Sequence, residues 1–239
     1  LSEMPGKSVW CLMLLCLSAV AMDSKQVQDK SVVIGLVQDV DYILPYEDII
    51  ARAWQDIGYE VHFERLPGDR SLRMSNRGIL DGELVRTQII EASHPNLLRV
   101  PVLIAKGELL LFCRKTVPCN GGALQNKRNI IGVRSGSLTA IEFLSQHAAQ
   151  SFLFSSPDIK SMLSNDSRLN YVLTVGVSGY GNLDGITDPV NLASISLVEF
   201  DAWHYVHKKH AHLTVSLAES LRRARATYLV PKSRQDLPD

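Results

Sequence analysis

The run Ser31 to Val37, SVVIGLV, is apolar, rich in β-branched residues and closed by polar Gln38 and Asp39, the pattern of a buried strand. In the following PYEDIIARAWQDIGYE, Ile49, Ile50, Ala53, Trp54 and Ile57 recur at helical spacing, and Gly58 ends the pattern. EVHFERL then alternates, with Val61, Phe63 and Arg65 on one side and His62 and Glu64 on the other. Strand, helix and strand in that order predict a βαβ unit and therefore a parallel sheet. PGDRSLRMSNRGIL predicts a helix starting near Asp69 or Ser71, followed by a strand over Gly82 to Arg86. NLLRVPVLIAKGELLLFCRK predicts two strands separated by a turn at Lys106 and Gly107.

At TVPCNGGALQNKR the composition shifts to Gly, Asn and charged residues, as at a crossing between lobes. A second βα unit follows. Ile130, Ile131 and Val133 predict a strand, Ser135-Gly136-Ser137 a turn, and Leu138 to Leu144 a helix. SPDIKSMLSN predicts a helix, and LNYVLTVGV and ASISLVEF predict strands. DAWHYVHKKHAHLTVSLAESLRRARA predicts two helices, or one broken near Leu213-Thr214, while SGYGNLDGITDPVNL carries no periodic pattern. The expected fold class is α/β with two lobes, each a mixed sheet flanked by helices. The expected division is residues 31–113 plus 201–230 for lobe 1 and 114–200 for lobe 2.

The composition changes this picture mainly by exclusion. With 46% apolar and 21% charged residues in 239, the chain has enough apolar material for a packed core. Lys plus Arg equals Asp plus Glu, so no basic excess argues for a nucleic-acid partner. SVWCLMLLCLSAVA, after Lys7, is an apolar run shorter than the ~20 residues of a membrane span and ends in small residues at Ala19 and Ala21. That pattern predicts a signal peptide over residues 1–21, cleaved near Ala21, and a periplasmic mature protein. Cys113 and Cys119 then remain, and in an oxidising compartment a disulfide between them is expected over a metal site.

Three stretches, LPGDRSLRMSNRGILDGELVR, IIGVRSGS and WHYVHKKHAHL, carry a further likeness. With the order of elements, they resemble the family 3 periplasmic solute-binding proteins that serve amino-acid ABC transporters, in a branch with LP..RSL and DGE..R motifs. The resemblance covers about Ser31 to Ala226. It implies a type II periplasmic binding fold, closure on a small-molecule ligand, a monomer, and an ABC permease or membrane sensor as partner. Amino-acid binders of this group carry Thr-x-x-Arg after the first-lobe Asp, and that arginine clamps the α-carboxylate. Here DGELVRTQIIEAS has Arg86 before Thr87 and nothing basic at that spacing after it.

The candidate ligand-binding residues are Tyr42, Arg70, Arg86, Ser135, Gly136 and Ser137. Guanidinium groups match a carboxylate bidentately. For Arg86 the alternative is an ion pair with Asp81, Glu83 or Asp69, and for Arg70 a salt bridge at a helix end. The Ser135–Ser137 turn offers hydroxyls and N–H groups at a helix start, where Gly136 allows close approach and Ser137 is also a natural N-cap. Tyr42 and Tyr46 are placed to stack on a ligand or to pack at the rim. Asp81 and Glu83 resemble a catalytic acid pair, but neighbouring Arg77 and Arg86 favour ionisation of both, against a general acid. His204, His207, His210 and His212 have helical i,i+3 spacing but lack a completing carboxylate or cysteine. No catalytic residue, metal or cofactor is therefore expected, and the leading expectation is periplasmic binding of a small polar, carboxylate-bearing or amino-acid-like solute. The alternatives are an enzyme on the same scaffold and a partner-only module with a vestigial cleft.

Overall fold

The computed structural model describes residues 30–38, 44–155, 163, 169–177 and 192–228. Residues 1–21, expected to be a signal peptide, Tyr42, most of the helix expected in SPDIKSMLSN and the segment 178–191 lie outside the described residues.

The first βαβ unit forms as its periodicity requires. β1 (Lys30–Val37) and β2 (Tyr59–Leu66) pair in parallel on either side of α1 (Leu44–Gln55), and Gly58, at φ 85°, turns the chain between helix and second strand. α2 (Gly68–Asn76) buries Gly68, Ser71, Leu72 and Ser75, one stripe at helical spacing, and leads into β3 (Gly82–Thr87), parallel to β1. In the other half, α3 (Gly122–Gln125), β5 (Ile130–Arg134), α4 (Leu138–Ser145), β6 (Gln150–Phe154) and β7 (Tyr171–Val177) follow in order, with β5 parallel to both β6 and β7.

Two long strands join the halves: β4 (Leu97–Arg114) and β8 (Leu192–His207) run antiparallel to each other through both. The chain ends in a 3-10 segment (Lys208–Leu213) and α5 (Thr214–Tyr228), which packs on α1. Among the described residues the eight strands make one mixed sheet in the order β2-β1-β3-β8-β4-β7-β5-β6. The first half is built round Val32, Ile34, Ile49, Trp54, Val100, Ile104, Ala202 and Leu221, the second round Leu109, Leu111, Ile131, Val133, Ala140 and Leu173. Both clusters draw on β4, one ending at Ala105 and the other beginning at Leu109.

The structure departs from three expectations. Lys106-Gly107 is not a turn: β4 runs straight through, Gly107 pairs with Phe200, and a Cβ at Gly107 would overlap the Phe200 ring. The glycine makes room for an aromatic ring rather than for a reversal. WHYVH is strand, not helix, so His204 and His207 do not share a helical face. Residues 204, 205 and 206 are all fully buried, because a central strand covered on both faces loses the alternation that identifies strands. TVPCNGGALQNKR does not cross between the halves, since Val117, Cys119, Ala123 and Leu124 all pack into the second. Cys113 and Cys119 form a disulfide there. No helix among the described residues is long and apolar enough to cross a membrane.

Candidate functional site

A cavity of about 150 Å3 lies where the two halves face each other. Val37, Tyr46, Leu72, Val85 and Ile90 supply its apolar wall from the first half, and Leu138 and Val175 from the second. Ala105, Gly107, Phe200 and Ala202 close it where β4 and β8 cross. Its polar groups are Arg86 and Thr87 at the end of β3, Thr174 on β7, and Arg134 with the Ser135–Thr139 segment at the end of β5 and start of α4. No carboxylate lines it among the described residues.

The start of α4 is an open donor site. Gly136 adopts φ 83°, the left-handed conformation that favours glycine, and reverses the chain between β5 and α4. The Ser137 hydroxyl does not cap the helix, and the N–H groups of Thr139 and Ala140 have no acceptor among the described residues. Unsatisfied N–H groups and the positive end of the helix dipole favour an anion at this position.

Among the described residues, several contacts hold the halves together round the cavity, Leu138 packing on the cluster of Leu72 and Ile90 among them. Arg134 Nη2 donates to the Gln38 carbonyl at 3.2 Å, and the hydroxyls of Thr87 and Thr139 are hydrogen-bonded at 3.2 Å. Gly68, at the start of α2, lies against Gly136 so closely that a Cβ on it would fall 2.6 Å from the Gly136 carbonyl oxygen.

Arg86 reaches this cavity, but through an ion pair. Its Nε and Nη2 donate to Glu83 Oε2 at 2.8 and 2.6 Å, and Glu83 Oε1 accepts from Ser71 Oγ at 2.7 Å and Ser75 Oγ at 2.6 Å. Glu83 is fully buried, and a Cβ at Gly35 of β1 would overlap the Ser71 hydroxyl beneath it. The RSL and DGE..R segments are thus one hydrogen-bonded unit, with Arg86 as its cavity-facing end.

Asp81 and Glu83 are no catalytic pair in this arrangement. Asp81 Oδ1 accepts from His210 Nε2 and Lys209 Nζ, both at 2.7 Å, and Oδ2 from the Val33 N–H at 2.7 Å. Burial pushes its pKa up, but those three donors outweigh it and hold the carboxyl at about 2. His204 is likewise committed. Its Nε2 accepts from Trp54 Nε1 at 3.1 Å, its Nδ1 donates to the Leu84 carbonyl at 3.1 Å, and burial lowers its pKa to about 4, so the ring is neutral.

Of the expected site residues, Arg86, Ser135, Gly136 and Ser137 line the cavity together. Arg70 does not: the buried stripe of α2 passes through Gly68, Ser71, Leu72 and Ser75, which leaves Arg70 exposed on another face. Tyr42 lies outside the described residues, while Tyr46 is buried in the cavity wall. Thr139, Thr174 and Phe200 carried no motif in the sequence. Ile90 did carry a signal, since it stands three residues after Thr87, where Thr-x-x-Arg would place the clamp, and it is buried apolar wall.

No protein-family model matches the sequence, and no curated protein does. Solved structures do match the fold. Holo ArgBP from T. maritima superposes with a TM-score of 0.63 at 15% identity, covering 81% of this chain and 89% of that one. A histidine kinase sensor domain with similarity to periplasmic binding proteins gives 0.64 at 16% identity, over 84% and 97% of the two chains. The substrate binding protein of an amino acid ABC transporter gives 0.61 at 11% identity, over 82% and 94%. The chain therefore has the two-lobed α/β architecture of the periplasmic binding proteins, type II, with its cavity between the lobes.

Proposed function

We propose that this chain binds a small polar solute, carboxylate-bearing or amino-acid-like, in the cavity between its lobes, and that lobe closure on the solute is the signal it delivers. The observation that carries the reading is the start of α4, where the Thr139 and Ala140 N–H groups lack acceptors among the described residues beside a cavity with no described carboxylate. An anionic group of the solute supplies the missing acceptor, and the apolar wall takes the rest of the molecule. The hinge lies where the two clusters give way to each other, at Lys106-Gly107 on β4 and Phe200-Asp201 on β8. Lobe 1 then takes in the first βαβ unit and α5, and lobe 2 the elements from the disulfide to β7. The chain acts as an exported, monomeric binding protein without catalysis, and a membrane partner, a transporter permease or a sensor receptor, reads the closed form. Structural neighbours of both kinds, a transporter's binding protein and a kinase sensor domain, support that partner class.

Ser137→Asp tests the assignment. An aspartate at the N-cap satisfies the open N–H groups and adds about 1 kcal/mol to stability. It also occupies the anion position, so the affinity for any solute that stabilises the wild type, measured by isothermal titration, falls at least tenfold. A variant that is more stable and binds as tightly as the wild type would contradict the site.

A further inference from the structure

The inference that follows rests on the solute-binding reading and specifies which solutes the cavity admits. Arg86 is a cation in the cavity wall, but not an uncompensated one. Two of its nitrogens are held by Oε2 of a fully buried carboxylate, whose other oxygen is held by two serine hydroxyls. Glu83 thus accepts four hydrogen bonds from three side chains on α2 and β3 and has no rotamer to which it can retreat without leaving donors unsatisfied. What Arg86 offers the cavity is Nη1, which has no partner among the described residues, backed by a pair whose net charge is zero.

At the other end of the cavity the charge balance differs. The N–H groups of Thr139 and Ala140, the dipole of α4 and the Arg134 guanidinium face a lining with no carboxylate among the described residues, so an anionic group finds donors there. Negative charge brought to Arg86 Nη1 gains less than it would from an unpaired guanidinium, because the buried Glu83 carboxylate on Nε and Nη2 offsets much of the attraction. A carbonyl, amide or hydroxyl oxygen takes the same hydrogen bond from Nη1 without the larger cost of stripping water from a second charge.

We infer that Glu83 is a specificity-determining positioning residue. It aims Arg86 at the cavity and cancels its charge, so that the site selects a monoanion bearing a neutral acceptor oxygen over a dianion. The solute's carboxylate belongs at the start of α4, its neutral oxygen at Arg86. The RSL and DGE..R segments together build this discrimination, which explains why a carboxylate and two serines are buried beneath one arginine.

Matched pairs differing only in one terminal group test it: succinate against succinamate, and glutarate against glutaramate, titrated into the wild type and into Glu83→Gln. The glutamine keeps the volume and can donate to the serines, but leaves Arg86 uncompensated. In the wild type the half-amide binds at least tenfold more tightly than the dicarboxylate, and in Glu83→Gln the ratio falls at least tenfold or inverts. A wild type that prefers the dicarboxylate, or a ratio that Glu83→Gln leaves unchanged, overturns the inference and leaves solute binding standing. Should Glu83→Gln fail to fold, the double variant Glu83→Gln/Arg86→Gln, neutral like the wild-type pair, retains the preference for the half-amide, and its loss overturns the inference. Binding of neither member of either pair by either protein contradicts the solute-binding reading on which the inference rests.

Discussion

Trp54 Nε1 donates to Nε2 of His204 at 3.1 Å, and both rings are fully buried. The bond joins α1 to β8, elements 150 residues apart in the chain, and fixes the histidine as the tautomer protonated on Nδ1, which donates to the Leu84 carbonyl. The indole occupies the nitrogen that a proton would take.

That geometry predicts an acid-sensitive fold. The imidazole titrates near 6.5 in the unfolded chain and at about 4 in the folded one, so between these values the unfolded state binds more protons. The contribution of His204 is therefore constant above pH 6.5 and falls as the pH drops towards 4, by roughly 3 kcal/mol across the window. His204→Gln, which keeps a donor and an acceptor but does not titrate, flattens the slope. Urea midpoints at pH 7, 5.5 and 4.5 for the two proteins check it, and parallel slopes would place the acid sensitivity elsewhere.

The serines under Glu83 carry a second expectation. Ser71→Ala and Ser75→Ala each leave a buried carboxylate oxygen short of a donor, at a cost of about 1–3 kcal/mol in chemical denaturation. Arg86→Ala leaves a buried charge unpaired and costs more, about 3–5 kcal/mol. The ranking is the test, and an Arg86→Ala variant milder than either serine variant would mean that the ion pair is not the main support of Glu83.

Gly68 and Gly136 give an expectation about closure. The Cβ in Gly68→Ala falls against the Gly136 carbonyl oxygen, and neither backbone can yield without parting the lobes. The variant should show a larger radius of gyration in small-angle scattering and weaker solute affinity, with helix α2 intact by circular dichroism. An unchanged radius would mean that the two backbones slide past each other.

Much of this was legible in the sequence, and the failures share causes. The βαβ unit, α2, β3, β5, α4 and β7 follow from local periodicity, because each has one distinct face or a short buried run bounded by turn residues. The pattern breaks β4 at Lys106-Gly107 because a glycine required by the Phe200 ring across the sheet looks the same as one required by a turn. The end of β8 lacks a strand pattern because His204, Tyr205 and Val206 are all buried, and only strands with one wet face alternate. At the site, the Ser135–Ser137 turn was visible as a glycine between strand and helix patterns. The partner of Arg86 was one of three candidate acids, and the choice among them depends on Ser71 and Ser75 arriving from α2, a tertiary fact with no local signature. Arg70 lies on the exposed face of that same helix, off the stripe that carries the two serines, and a helix start in the sequence does not say which face meets the cavity.

The disulfide gives a simpler expectation. Cys113 and Cys119 close a loop with a sequence separation of 6 between β4 and the start of α3. Replacing both with Ser relaxes the unfolded chain and costs about 2 kcal/mol by loop entropy. Thermal midpoints of wild type and variant, each with and without reductant, check it. Reductant should lower the midpoint of the wild type alone.

The central claim is that the cavity between the lobes binds a small anionic solute, and the most direct measurement is thermal stability against a panel of such solutes. Protein from Met22 onward is heated with amino acids, mono- and dicarboxylates, polyamines and short peptides at millimolar concentration. A solute present at 100 times its dissociation constant adds about 2.7 kcal/mol and raises the midpoint by a few degrees. The account predicts such a rise with carboxylate-bearing compounds, diminished in Ser137→Asp, and none with polyamines. A flat response to every carboxylate, or a rise with polyamines alone, would contradict it.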